Sequence, residues 1–453
     1  MNNKNRITGK ELKTSLSLVT IAAALGLPFF TITGGPALTG LTTALGTSDL
    51  VYSIIMAMPV IGAMIQVFAS YYIETTGRRR SLFMIAGFIH RPLWIPLALI
   101  PLFIGNEHNS LRIWLVTILI GISSAANSII AIAFNSWMGS LVPAEIKGRF
   151  FGKRAMIYTI TGLIAALVTG KFLDMVPGFP GYAAVFTAAA IFGAADIFLF
   201  FWIKEPQMEL PKIRIPFHKL IVKPFKDKNY VKYMIFVSLW YFSVNFAGPF
   251  FNRYMLEELH LSFFIMITFT QVTSSFTTII SIRIWGKLAD KYGSKPVMAI
   301  CCSIIFLFPF VWFFITPGNV WLILVLNLVG GVFWPGFELT AMNQSIWLSP
   351  EKNRSIYIAV YTLLVNVIGT ALAFLCGGAF LQLCKAFISD IQIPFLLGQS
   401  LNSYHLLFAV SGTLRFLVLV FVLRNYKDAD SESAVIVLRK LKSAVKNRLR
   451  ISQ

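Results

Sequence analysis

Gly286-Lys287-Leu288-Ala289-Asp290-Lys291-Tyr292-Gly293-Ser294-Lys295-Pro296 is a short polar stretch between two long apolar runs, and its reading decides the fold. Apolar runs of that length cross membranes, so the stretch is predicted to be a tight turn joining two transmembrane helices. A weaker copy stands at Ser70-Tyr71-Tyr72-Ile73-Glu74-Thr75-Thr76-Gly77-Arg78-Arg79-Arg80. The carboxylates Glu74 and Asp290 are 216 residues apart, and so are Gly77 and Gly293, so the chain reads as two related halves. The pattern has a local logic. A carboxylate ending one helix pairs with basic groups, and glycine admits the positive φ of the turn into the next. Gly286, one helical turn before Asp290, is expected to let a neighbouring helix approach closely.

Apolar residues make up 57% of the 453-residue chain and charged residues 13%, a balance that belongs to a polytopic helical membrane protein. The net charge of +20 is lopsided rather than diffuse. On the predicted segmentation, 33 of the 39 Lys and Arg fall in the termini and the loops of one side. Arg112, Lys171, Arg253 and Lys385 fall on the other, and Arg91 and Arg415 lie within helices. That split is the positive-inside pattern and places both termini in the cytoplasm. It also accounts for the charge without nucleic acid, for which no soluble domain is available. Cys301, Cys302, Cys376 and Cys384 have neither metal-ligand nor redox spacing and read as small buried hydrophobes. The polar, basic leader Met1 to Lys13 precedes an apolar run too long for a signal-peptide core, so the first helix is expected to remain as an anchor.

Taken in order, helix 1 is predicted from about Leu16 to Ala44, bendable at Pro28 and at Gly34-Gly35-Pro36, with Ser48 or Asp49 capping helix 2. Helix 4 ends in Asn135-Ser136-Trp137, followed by Pro143, Glu145 and Arg149; helix 10 ends in Asn343 and Trp347, followed by Pro350, Glu351 and Arg354. Asn135 and Asn343 are 208 residues apart, so the duplication extends over these helices as well. Residues 1–203 and 233–424 are thus expected to form two six-helix bundles. Residues 204–232 form a basic cytoplasmic linker between them, and residues 425–453 a basic tail. In that tail Ala434, Leu438, Leu441, Val445 and Leu449 share one helical face, which suits an amphipathic helix on the anionic inner leaflet.

Gly-x-Leu-Ala-Asp-Lys-x-Gly-x-Lys at Gly286–Lys295 resembles the loop 2–3 signature of the major facilitator superfamily. The first copy departs from it at Ser70, Glu74 and Thr75. The Pro-Glu-x-x-Arg loop after helix 10 resembles the corresponding loop of bacterial members. The resemblance implies an all-α protein of twelve transmembrane helices in two pseudo-symmetric bundles. It also implies secondary active transport of a small organic solute, ion-coupled (a proton symporter in the leading reading), in the bacterial inner membrane. Family architecture puts helices 1, 4, 7 and 10 around the cavity and helices 3, 6, 9 and 12 outside. Carried onto this chain, the cavity candidates are Thr31, Thr33, Asn127, Asn135, Trp240, Asn245, Trp334 and Glu338. The gating candidates are Glu74, Gly77, Arg78, Arg149, Gly286, Asp290, Gly293 and Arg354, with Asp290 expected near Arg354 and Glu74 near Arg149 or Arg154. Proton-driven efflux is the alternative transport reading, although helix 5 has no Gly-Pro near Gly162 or Gly170. A channel, a scramblase and a membrane-embedded enzyme are the alternative classes.

Arg91, Asp196, Glu338 and Arg415 lie within the predicted hydrocarbon, with His90 beside them. Each such charge costs at least about 2.5 kcal/mol at mid-bilayer unless paired or hydrated. Arg91 and Asp196 fall at heights of about 16 and 12 Å above their helix ends, which suits an ion pair of structural role on the outer helices. Asp196 and Arg415 share a Gly-x-x-charge frame with Gly193 and Gly412 and read as duplicated positions that diverged in sign. Glu338 is either the coupling carboxylate or the fixed partner of Arg415. No nucleotide, metal or catalytic motif appears, so no cofactor and no enzymatic chemistry are expected, and a monomer suffices.

Overall fold

The computed structural model describes residues 8–208, 222–351, 354–388, 393–394, 400–428 and residue 436. Among them, twelve helices are long and apolar enough to cross a membrane. They are α1 (Gly9–Ala44), α2 (Asp49–Thr76), α3 (Arg79–Phe103), α4 (Asn106–Leu141), α5 (Ala144–Met175) and α6 (Phe179–Trp202) before the linker. After it come α7 (Lys228–Glu257), α8 (Phe263–Tyr292), α9 (Ser294–Phe314), α10 (Trp321–Trp347), α11 (Ile356–Phe387) and α12 (Ser403–Val422). The only β structure among the described residues is a two-residue antiparallel pairing, Ile393 with Leu401, between α11 and α12. The chain is an all-α integral membrane protein. Residues 209–221 of the linker and nearly all of the predicted tail helix lie outside the described residues.

Two helices begin earlier than composition suggested, and polar caps are the reason. α1 starts at Gly9 rather than Leu16, because Thr8 and Glu11 form a capping box in which each side chain accepts from the other's backbone N–H. α7 starts at Lys228, inside the segment read as linker, where the Asp227 carboxylate accepts from the N–H of Asn229 and Tyr230, both at 3.0 Å. Ser48 caps α2 as expected. The two signature turns both use a glycine at positive φ but differ in ψ, 0° at Gly77 and 163° at Gly293. Gly77 (φ 69°) and Gly293 (φ 91°) close α2 and α8, donating to the carbonyls of Ile73 at 2.8 Å and Ala289 at 2.9 Å. Gly286 does not have its expected role. A Cβ there would meet only the Leu339 side chain, at 3.8 Å.

The close approach of α8 and α10 is made elsewhere. Pro335 has no N–H to give the Gly331 carbonyl, and in hydrocarbon that oxygen needs another donor. Ser281 supplies one at 2.9 Å and Thr278 a second at 3.3 Å, while the Trp285 indole N–H reaches the Val332 carbonyl at 2.6 Å. Gly336 makes room for this packing, since a Cβ there would lie 2.6 Å from Cys301 Sγ and 2.8 Å from the Trp285 ring.

By contacts the chain divides into two units, Met1–Arg214 with Phe251–Thr268, and Ile215–Phe250 with Phe269–Gln453. Unlike the expected division into residues 1–203 and 233–424, this one puts Phe251–Thr268 with the first unit and splits the linker between the two. Arg253 pairs with Asp49 at 3.2 Å and donates to the Thr47 carbonyl at 2.8 Å. Asp174 caps the first turn of α8, accepting from Phe263 N–H at 2.7 Å and Phe264 N–H at 3.0 Å. The core of unit 1 gathers Phe29, Trp94 and Phe186 in one cluster and Phe83, Trp137 and Phe200 in another. That of unit 2 gathers Tyr230, Tyr233, Trp240, Phe337 and Tyr426.

These contacts order the glycines by tolerance. Gly336→Val forces the Cys301 and Trp285 side chains to move in a close-packed seam, an overpacking cost of about 1–3 kcal/mol. Its folded yield and melting temperature in detergent should fall clearly, whereas Gly286→Ala should match the parent in both. Equal behaviour of the two variants contradicts the assignment of the seam.

Candidate functional site

Arg91 ends the first half of α3. Pro92 follows and cannot donate, so the helix loosens over residues 91–93 before resuming at Trp94. The Arg91 guanidinium leaves this break toward α6 and donates through Nη2 to Asp196 Oδ2 at 2.9 Å. The pair expected from the two heights is present. Two glycines hold open its space. A Cβ on Gly26 of α1 would lie 2.6 Å from Asp196 Oδ2, and one on Gly193 of α6 would lie 2.7 Å from Arg91 Cδ. The rings of Phe29 and Phe30 flank the guanidinium, with centroids 4.2 and 4.5 Å from its carbon. Arg91 is 2% exposed, and its Nε and Nη1 have no hydrogen-bond partner.

The pair's position differs from the expected one. It does not lie outside the bundle in a purely structural place; it forms part of the wall of a cavity of about 310 Å³ within unit 1. Asn127 and Asn135 of α4 line the same cavity, as do Arg154 and Tyr158 of α5 and the rings of Phe30, Phe83, Phe134 and Phe200. Among the described residues, Arg154 makes no ion pair with Glu74. Its guanidinium lies 4.8 Å from the Phe134 ring centroid, its Nε is buried without a hydrogen-bond partner, and it interacts electrostatically with Asp196. His90 points elsewhere, with Nδ1 2.6 Å from the Ser123 hydroxyl, which also accepts from Trp94 Nε1 at 2.9 Å. A larger groove of about 570 Å³ between α1, α5 and α6 has an apolar wall and presents Ile164, Val168 and Phe192 outward.

Among the cavity candidates, the structure brings Asn127 and Asn135 together with the ion pair and places the others differently. Thr33 is buried and donates to the Phe29 carbonyl at 2.8 Å, and Thr31 packs against Gly162 of α5. Trp240 is fully buried in the aromatic core of unit 2, stacked obliquely on Phe337, and so lines no accessible space. Asn245 is a helix-to-helix bond, donating to the Gly369 carbonyl at 2.9 Å and the Thr370 hydroxyl at 3.1 Å. Trp334 is half-buried against the same core. Glu338 is exposed on α10, within electrostatic reach of Tyr241 and Tyr361. It is not paired with Arg415, which instead donates to the carbonyls of Ile305 at 3.1 Å and Val244 at 3.4 Å.

The gating candidates lie where the turns put them, but their charges are apart. Among the described residues, no ion pair joins Asp290 to Arg354 or Glu74 to Arg149. Arg78 is exposed, and its neighbour Arg79 makes the contacts. Arg79 is 1% exposed, pairs with Glu205 at 3.2 Å, and donates to the Ser136 carbonyl, the Ser140 hydroxyl and the Pro206 carbonyl. Sequence reading passes over Arg79 and gives Arg154 a place at the gate, because each sits in a basic run whose members composition cannot tell apart.

The profile of the Major Facilitator Superfamily matches residues 16–374 and, in a second alignment, residues 233–450. Among solved structures, the nucleoside transporter NupG is similar at 13% identity with a TM-score of 0.69, over 91% of this chain and 100% of that one. The inward-open xylose transporter XylE from E. coli is similar at 15% identity with a TM-score of 0.64, over 94% and 99%. A bacterial homologue of the iron transporter ferroportin is similar at 15% identity with a TM-score of 0.67, over 91% and 98%. These likenesses carry the fold alone. No curated protein matches the sequence.

Breaking a buried pair by removing one partner costs about 3–5 kcal/mol, because the other charge is left unpaired. Asp196→Asn and Arg91→Gln should therefore each lower the folded yield from membranes several-fold. The exchange Arg91→Asp with Asp196→Arg should restore part of it. Exchange protein no better than the single variants argues against a pairing contribution.

Proposed function

Because the chain belongs to the Major Facilitator Superfamily, we propose that it is a secondary active transporter. It moves a small organic solute across the bacterial inner membrane by alternating access, driven by protons. The observation that carries this reading is the cavity of unit 1: an ion pair, a second guanidinium and two amides line one space of about 310 Å³ inside a membrane-spanning bundle. Polar groups at that depth are costly, and they mark solute or ion pathways. The 33-to-4 charge split supports an orientation with both termini in the cytoplasm. On this reading the protein acts as a monomer, and its basic tail rests on anionic lipid.

Glu338 is the coupling group in this proposal. It is the acidic residue of α10, exposed beside Tyr241 and Tyr361 rather than locked to Arg415. In vesicles with an imposed proton gradient, Glu338→Gln should lose uphill accumulation and keep solute counterflow. Full accumulation by that variant assigns coupling elsewhere. The absence of saturable flux and counterflow in the parent would remove the transporter reading itself.

The signature turns serve as the gate of the same cycle. Glu74, Asp290, Arg149 and Arg354 are separate in this structure and free to pair in another state, which is how local charge biases a two-state motion. Asp290→Asn should slow turnover by about tenfold and leave solute affinity within about twofold of the parent, since only a state-dependent pair is lost. A collapse of affinity at unchanged turnover contradicts a gate.

A further inference from the structure

We propose that the unit-1 cavity binds the oxyanion group of a small organic anion, held by Arg91 and Arg154. The inference rests on the transport reading above and names the substrate class. Its first support is unused hydrogen-bonding capacity. Arg91 is 2% exposed and spends one N–H group on Asp196 Oδ2 at 2.9 Å, while its Nε and Nη1 are buried without partners in the cavity wall. Arg154 adds a second guanidinium, with its Nε also buried and unpartnered.

The second support is the charge count. Two guanidinium groups and the single carboxylate of Asp196 line the cavity, so one positive charge is left unbalanced. A cation in so apolar a place is costly until an anion joins it. The planar guanidinium fork fits a carboxylate or phosphate in two parallel hydrogen bonds, and a neutral hydroxyl fills it poorly. The remaining wall suits an organic body: Asn127 and Asn135 offer amides, and Phe134 and Tyr158 offer ring faces. Asp196 then has a defined part. It holds Arg91 in place while the cavity is empty and leaves the unpartnered Nε and Nη1 for the solute.

Arg154 is the residue to change, because no carboxylate depends on it as Asp196 depends on Arg91. Purified protein in detergent and Arg154→Gln would be compared by thermal unfolding against neutral, cationic and anionic solutes. The panel would include glucose, uridine, gluconate, lactate, benzoate and glucose 6-phosphate, and the stabilising solutes would then be tested for counterflow in vesicles. Stabilisation and counterflow should be confined to anions. Their affinity should fall about tenfold or more in Arg154→Gln, the loss expected for one charge-assisted contact. Carboxylates against phosphate esters identify the head group. The proposal is overturned if neutral or cationic solutes stabilise and exchange with Arg154→Gln unimpaired; the transporter reading then stands and only the substrate class falls. It is overturned too if phosphatidylglycerol stabilises through Arg154 while no soluble anion does. If no solute of any charge stabilises or crosses, both readings fail together.

Discussion

Hydrocarbon offers no water to a bare carbonyl, and that constraint organises much of this structure. Each proline inside a spanning helix withdraws the N–H that the carbonyl four residues earlier would have accepted. Pro335 strips Gly331, and Ser281 and Thr278 of α8 answer from the next helix. Pro309 strips Ile305 of α9, and Arg415 of α12 answers with a guanidinium N–H. Pro249 strips Asn245 of α7, whose carbonyl accepts instead from Gly248 within the turn. At Pro335 and Pro309 a bend that weakens one helix thereby becomes a specific bond between two. Helix pairing is specified in this way without help from a hydrophobic driving force, which lipid largely cancels.

The same logic explains how a duplicated position came to carry opposite charges. In the first half the cation is on α3, and α6 supplies the carboxylate of Asp196. In the second half α12 supplies the cation, Arg415, and α9 presents a backbone carbonyl. Both solutions use a glycine three residues earlier to admit a bulky neighbour: Gly193 accommodates Arg91, and Gly412 accommodates Phe310. The outcomes differ in what remains unused. Arg415 is sealed at 2% exposure against two helices, whereas Arg91 borders a cavity. At this level the two units differ in chemistry.

Sequence alone gave the twelve spans, the two turns and the Arg91–Asp196 pair, because each rests on length, spacing or a cost that every bilayer imposes. The cavity was harder to read. Trp240, Asn245 and Thr33 are polar or amphipathic groups on the expected helices, yet each is consumed by packing or by a backbone bond. Which face of a helix a residue occupies follows from its neighbours, and a uniformly apolar helix has no polar side to mark it. Arg154 reaches the cavity only because its long side chain runs along Phe134, a contact between α5 and α4 that no spacing rule contains. The early start of α1 was missed for another reason. Thr8 and Glu11 are a readable capping box, but they lie outside the apolar run that was taken to define the helix.

One feature of the chain's path ties its local irregularities to its larger division. Phe251–Thr268 belongs to unit 1, although the rest of α7 and α8 belongs to unit 2. The chain changes unit beside two defects. One is the break in α7 between Asn245 and Phe250, with Gly248-Pro249 at its centre; the other is the π-helical segment Thr268–Val272 in α8. A regular helix transmits displacement along its whole length, but a proline break or a π-bulge is where a helix bends. The Arg253–Asp49 pair and the Asp174 cap hold the intervening segment to unit 1 at the face away from the signature turns. Attachment to unit 1 and a helix defect on either flank are thus combined within residues 245–272.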